Sequence, residues 1–146
     1  MHSYPHVYVV AAAGGSAGPV SVSSVKLPDL QTAPPPEFDG PGGMWSPETL
    51  LCSSVADCFI LTFRAVSRMA RLEWQHLDCR VEGVLDRVDR VPQFTRFGTF
   101  ATLTVPVNTD VAKARELLER AEHTCLIANS LRGSRALEAQ VVVADR

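Results

Sequence analysis

The chain lacks a Cys-x-x-Cys pair and a His-Glu-x-x-His run, so a zinc site has no support in the sequence. It lacks a basic excess. Its 14 Lys and Arg stand against 16 Asp and Glu, a formal net charge of -2. That balance argues against nucleic acid and against an anionic membrane surface as partners. Its 4 cysteines follow no regular spacing, unlike a secreted disulfide framework. No Lys or Arg precedes the apolar stretch from His6 to Ala13. A signal peptide normally carries a positive n-region there, so a first β-strand and a cytoplasmic protein are expected instead.

What remains is a chain of 146 residues, 46% hydrophobic, which fits one domain spanning residues 1–146 with a substantial core. Tyr4 to Ala13 reads as a strand ending at the Gly14-Gly15-Ser16 turn. Val20 to Val25 alternates apolar and polar, as a half-buried strand does. Leu27 to Gly43 is rich in proline and glycine and reads as a long loop. Ser46 then caps a helix with Pro47 at its first position and Glu48 in its first turn, running to about Leu72. Leu50, Leu51, Val55, Phe59, Ile60, Phe63, Val66 and Met69 make most of that helix apolar, so it is expected to be mostly buried. Its charges argue against a membrane span.

Leu77 to Val88 and Phe94 to Val107 alternate like strands around a turn at Asp89-Arg90-Val91-Pro92, the pattern of a hairpin. Asn108 or Thr109 is expected to cap a helix through Glu122, followed by a short helix from Cys125 to Leu131 and a strand from Ala136 to Ala144. The order is that of an α+β fold.

Two cysteines stand in contrasting settings. Cys58 lies in the apolar helix, beside Ala56, Asp57 and Phe59. Taken alone it reads as an inert core thiol, since burial disfavours the thiolate and Asp57 opposes it further. Cys125 follows the second helix. In the first turn of a new helix it would gain from the positive helix end; the other reading is a small buried residue. Cys52 is set off around the helix from Cys58, and Cys79 sits within a strand; both read as core. His123, close to Cys125, reads either as a tuning group or as an exposed cation at a helix C-terminus. Phe38, Pro41, Met44 and Trp45 read either as an apolar substrate mouth or as a docked loop.

Taken in order, these residues resemble the OsmC/Ohr family of peroxide-detoxifying proteins. The resemblance rests on Ser46-Pro47-Glu48, Leu50-Leu51, Ala56-Asp57-Cys58-Phe59, and Cys125 followed by Asn129-Ser130. It implies antiparallel sheets packed on a long central helix, in an intertwined homodimer with active sites at the subunit interface. It further implies thiol-dependent reduction of organic hydroperoxides, with hydrogen peroxide as a lesser substrate, an external thiol as reductant, and no metal or flavin cofactor. By resemblance Cys58 is the peroxidatic residue, Cys125 the resolving one and Glu48 the acid of the site. The rival reading is a non-catalytic dimer of the same fold that binds a small apolar ligand or a partner.

One departure bears on the chemistry. The family pattern uses an arginine from the N-terminal strands to hold the thiolate, and here no arginine precedes Arg64. Lys26, or Arg64 or Arg68 of a second subunit, is expected to replace it. Glu48 and Cys58 are separated by ten residues, about 15 Å of straight helix, so a shared site would need the acid from another subunit or a broken helix.

Overall fold

The computed structural model describes residues 3–144. These form two compact units that divide between Leu50 and Leu51.

The first unit holds a three-stranded antiparallel sheet of β1 (Ala11–Ala13), β2 (Val20–Ser23) and β3 (Leu30–Thr32), in that order. Val20 faces Thr32 and Ala12 faces Val22 across the ladder. The expected first strand is much shorter than its apolar sequence, and Tyr4 and Val7 to Val10 are exposed. The Pro-rich segment is not all loop. It carries β3 and a 3-10 turn at Pro36–Phe38, set between prolines that forbid anything longer. Ser46 and Thr49 then bond reciprocally at the start of α1 (Pro47–Met69). The Thr49 amide donates to Ser46 Oγ at 3.2 Å and the Ser46 amide to Thr49 Oγ1 at 2.9 Å. This is the capping-box arrangement with threonine in the returning position.

α1 continues unbroken into the second unit and contributes Val55, Phe59, Phe63, Val66 and Ser67 to the buried interior. They fall on one stripe of the helix. The expectation of a mostly buried helix is corrected: Leu61 and Met69 are exposed and the flanking apolar residues are half-covered. The helix stops at Met69, short of Leu72, because Arg71 turns left-handed (φ 53). The Arg71 amide bonds to Arg68 O at 3.2 Å and the Leu72 amide to Ser67 O at 2.9 Å, which closes the last carbonyls.

The second sheet is β4 (His76–Val88), β5 (Val91–Val105) and β6 (Ser134–Val143), with β5 central. β4 and β5 form the hairpin, but its turn is only Asp89-Arg90, both left-handed (φ 50 and 66), so Val91 and Pro92 belong to the strand. β6 joins β5 in parallel after a helical crossover of α2 (Val111–Thr124) and α3 (Leu126–Asn129). Asp110, rather than Asn108 or Thr109, caps α2 and accepts from the Lys113 amide at 3.0 Å. The inner face of α2, with Ala114, Leu117, Leu118 and Ala121, packs in one cluster with Phe59, Phe63, Leu77, Ala101, Leu103 and Val105. By length and composition α1 is apolar enough to cross a membrane, yet its Phe59 and Phe63 lie in this core.

Candidate functional site

A second, smaller cluster in the same unit holds the two singled-out cysteines. Val55, Phe97, Cys125 and Ala128 form its buried part, and Cys52, Cys58, Leu51, Phe94 and Leu131 pack against it. Cys58 is half-buried on α1, with Sγ 3.8 Å from Thr62 Oγ1 one turn on. Cys125 is 1% exposed and joins α2 to α3. Its extended backbone (φ -62, ψ 107) ends one helix and opens the next. Its amide donates to Glu122 O at 3.3 Å, and its carbonyl accepts from the Asn129 amide at 2.9 Å.

All four cysteines are free. Burial pushes the Cys125 thiol up to about 11; the amides of Ala128 and Ile127 oppose this, and the neighbouring Cys58 thiol adds to it. The short α3 thus supplies the helix-end effect anticipated for Cys125, and desolvation outweighs it. Burial also pushes Cys79 up to about 11, with the charge on Cys125 reinforcing the shift. Cys79 packs against the main core, as a core thiol should. Cys52 is raised by burial, partly offset by the Gly83 backbone. A Cβ at Gly83 would lie 2.6 Å from Cys52 Sγ and 2.8 Å from Phe94 Cε1, so only glycine lets β4 pass that close to α1.

Cys125, Phe97, Thr99, Glu122 and Arg135 line a cavity of about 10 Å³, room for at most a single water. Arg135 is the residue the sequence reading passed over. It is the second residue of β6 and lies on the row shared with Leu137, Ala139 and Val141, all half-buried. Its Nε lies 3.1 Å from Glu122 Oε1, and its Nη1 donates to Asn129 Oδ1 at 2.7 Å. Starting the last strand at Ala136 hid it; beginning two residues earlier puts an arginine at the head of the inner row. His123 is exposed in the last turn of α2, with Nδ1 3.7 Å from Glu122 Oε2, which is the placement the helix-end reading expects.

An apolar groove of about 530 Å³ shares Phe97 with this cavity. Leu51, Val88, Val91, Phe94 and Leu131 form its walls, with Asp89 and Arg132 among the polar groups that line it. Of the cations expected to serve the site, Lys26 is exposed on a left-handed turn (φ 62), and Arg64 and Arg68 are exposed along α1. Among the described residues, no group of three or more His, Cys, Asp or Glu could hold a metal ion.

Glu48 lies in the first turn of α1, where the helix dipole favours an acid. It lines an apolar hollow of about 520 Å³ in the first unit, with Val20, Val22, Ala33 and Phe38. Its Oε2 is buried with no hydrogen-bond partner among the described residues. α1 is unbroken from Pro47 to Met69, and the offset of ten positions between Glu48 and Cys58 is about 15 Å of straight helix.

The OsmC-like protein family matches residues 40–139 of this chain. The chain therefore belongs to the OsmC-like family. It is 28% identical over 112 residues to the uncharacterized protein YmaD of Bacillus subtilis, covering 75% of each sequence. Its fold matches an OsmC-like protein of unknown function from Vibrio cholerae with TM-score 0.84 at 12% identity, covering 92% of this chain and 99% of that one. It matches an organic hydroperoxide resistance protein OsmC from Legionella pneumophila with TM-score 0.75 at 24% identity, covering 97% and 100%.

Proposed function

We propose that this protein is a cysteine-based peroxidase that reduces organic hydroperoxides. The observation that carries the reading is the packing of Cys58 and Cys125 into one cluster beside an apolar groove. The groove suits the carbon body of an organic hydroperoxide, since apolar walls favour apolar ligands. The Cys58 thiolate attacks the distal peroxide oxygen. The O–O bond breaks, the alcohol leaves with a proton from solvent, and Cys58 becomes a sulfenic acid. The Cys125 thiol then attacks the Cys58 sulfur. A Cys58–Cys125 disulfide forms and the hydroxyl leaves as water with the Cys125 proton. Two equivalents of an external thiol reduce the disulfide and leave as their own disulfide.

The two units act as parts of one domain, and the working form is a homodimer. Glu48, with its unpartnered carboxylate oxygen, is the acid of the site and reaches Cys58 from the second subunit. The need for thiol reductant places the activity in the cytoplasm.

Stopped-flow oxidation by cumene hydroperoxide tests the reading. The wild type is expected to react far faster than a free thiol, and Cys58→Ser not at all. A wild-type rate no better than a free thiol's would replace the peroxidase by a dimeric binding module. The groove and the raised Cys125 thiol are the observations that favour that second reading.

A further inference from the structure

Cys125 sits at a break between two helices, and such a break needs something to fix the angle across it. Its φ/ψ end α2 and start α3, and α3 is only four residues long. A helix that short has almost no stability of its own. Two backbone bonds cross the joint locally, Cys125 N to Glu122 O and Asn129 N to Cys125 O. One side chain crosses it from outside. Arg135 reaches Glu122, three residues before Cys125, and Asn129, four residues after it. Asn129 in turn donates its Nδ2 to His123 O at 3.1 Å, which ties the end of α3 back to the end of α2.

The cost of this arrangement argues that it has a use. Arg135 stands on the half-buried row of β6, directly opposite Phe97 in the parallel ladder, where an apolar residue would continue the pattern of Leu137, Ala139 and Val141. A guanidinium there loses hydration and is tolerated only because its donors are taken up. Glu122 is equally out of place, since an acid near a helix C-terminus opposes the dipole. The two compensate each other with side chains 24% and 13% exposed, and a planar fork can hold a carboxylate and an amide oxygen together.

We propose that Arg135 is a positioning residue for Cys125: its guanidinium braces Glu122 and Asn129 so that the thiol between them is held in line with Cys58. The proposal rests on the peroxidase reading for its chemistry, because the step it governs is disulfide closure. In that step the Cys125 sulfur approaches the Cys58 sulfur, the Cys58 S–O bond breaks, the S–S bond forms, and water leaves with the Cys125 proton. Arg135 takes no part in the earlier attack on peroxide.

The test separates the two steps in the full-length protein. Stopped-flow with cumene hydroperoxide follows the first, with dimedone trapping of the sulfenic acid, and mass spectrometry of quenched samples follows closure. Arg135→Met and Asn129→Ala are each expected to leave the first step within about twofold and to slow closure roughly tenfold or more, the scale of a misplaced reacting group. Sulfenic acid then accumulates. The double variant is expected to slow closure by less than the product of the two singles, because both remove the Arg135–Asn129 bond. Closure at the wild-type rate in Arg135→Met, an equal slowing of both steps, or additive effects in the double variant would each overturn the proposal. If Arg135→Met proves unfolded, Asn129→Ala, which removes an exposed side chain and keeps the ion pair, decides alone by the same outcomes. If wild type ignores hydroperoxide, the peroxidase reading falls and diamide is used instead. Diamide takes two electrons and two protons from the thiol pair and becomes the hydrazine. Closure that still depends on Arg135 keeps the brace; closure that does not removes it.

Discussion

The two units bury their sequence very differently. In the first, Thr32, Ala33 and Ser46 are the buried described residues, while Tyr4, Val7, Tyr8, Val9, Val10, Val25 and Leu27 stand exposed. In the second, Phe59, Phe63, Phe97, Leu103, Val105 and Leu118 are almost fully buried. Both units have a three-stranded sheet. The difference is what covers it: α1 and α2 supply a shared apolar interior to the second unit. The exposed apolar residues flank the strands of the first sheet, and apolar exposure gathered in one stretch of chain, as at Val7 to Val10, is a mark of an interface. All four cysteines also lie beyond Leu50, so the unit with the larger buried interior carries the thiols, and the other carries the Glu48 oxygen that has no partner among the described residues. In the homodimer proposed above, a second copy of the chain would be that cover.

The largest expected effect follows from that contrast. The protein should sediment as a dimer at micromolar concentration, burying on the order of 2,000 Å² or more in total, as obligate interfaces do. Val9→Asp should drive it toward monomer. A wild-type monomer, or a dimer indifferent to that charge, would mean the first unit tolerates its exposure unaided.

Next comes a pair of truncations. Phe63→Ala removes a ring at 0% exposure and should cost about 3–5 kcal/mol of unfolding free energy. Phe38→Ala removes one 52% exposed within the chain. Urea titration should find a much smaller loss for it, unless the partner covers that ring. Equal losses would erase the distinction between the units as isolated chains.

Gly83→Ala probes the second unit by overfilling it. The new methyl meets Cys52 Sγ and Phe94, and overpacking of this kind costs about 1–3 kcal/mol. Adding Cys52→Ala should recover part of that loss in thermal melts. No recovery would place the strain on Phe94 alone.

Much of this contrast was legible in the sequence, and the reason is periodicity. The stripe of Val55, Phe59, Phe63 and Val66 and the alternation along β4 and β5 are local patterns that fix a helix and a hairpin. Ser46-Pro47 marked the start of α1 for equally local reasons. What escaped depends on tertiary partners. β3 has three residues and exists because β2 lies beside it. The parallel pairing of β6 with β5 is set by the crossover, which alternation does not encode. A last strand expected from Ala136 leaves Arg135 out, whereas β6 begins at Ser134. Cys58 and Cys125 were found through family resemblance; composition alone would have left both as core thiols.

Two helix caps give a finer comparison. Ser46 is buried and exchanges bonds with Thr49, whereas Asp110 is exposed and makes one bond to the Lys113 amide. Replacing either with alanine should cost about 0.5–2 kcal/mol. Ser46→Ala should sit at the upper end, because it takes the acceptor from the part-buried Thr49 amide bond and also the Oγ contact with Thr49 Oγ1. If Asp110→Ala costs more, the first unit's capping is not what holds the start of α1.

The smallest effect is absent at neutral pH and belongs to the second unit alone. Cys79 and Cys125 are raised by burial from 9.0 to about 11 in the fold. For a thiol this means that the folded chain keeps its proton after the unfolded chain has begun to lose it. The unfolded state therefore binds fewer protons above about pH 9, and stability falls as pH rises from there toward 11. Below pH 9 both states are protonated and the contribution is constant. Tyrosine and lysine titrate in the same range, so the wild-type slope is not diagnostic by itself. Cys79→Ala and Cys125→Ala should each flatten the fall in the urea midpoint between about pH 9 and 10.5 relative to wild type. Each must be measured singly, because the Cys125 charge raises Cys79 and removing it lowers the remaining shift. If the slope survives both substitutions unchanged, the thiols ionise as freely in the fold as in the unfolded chain, and the second unit is not the dry environment that its burial describes.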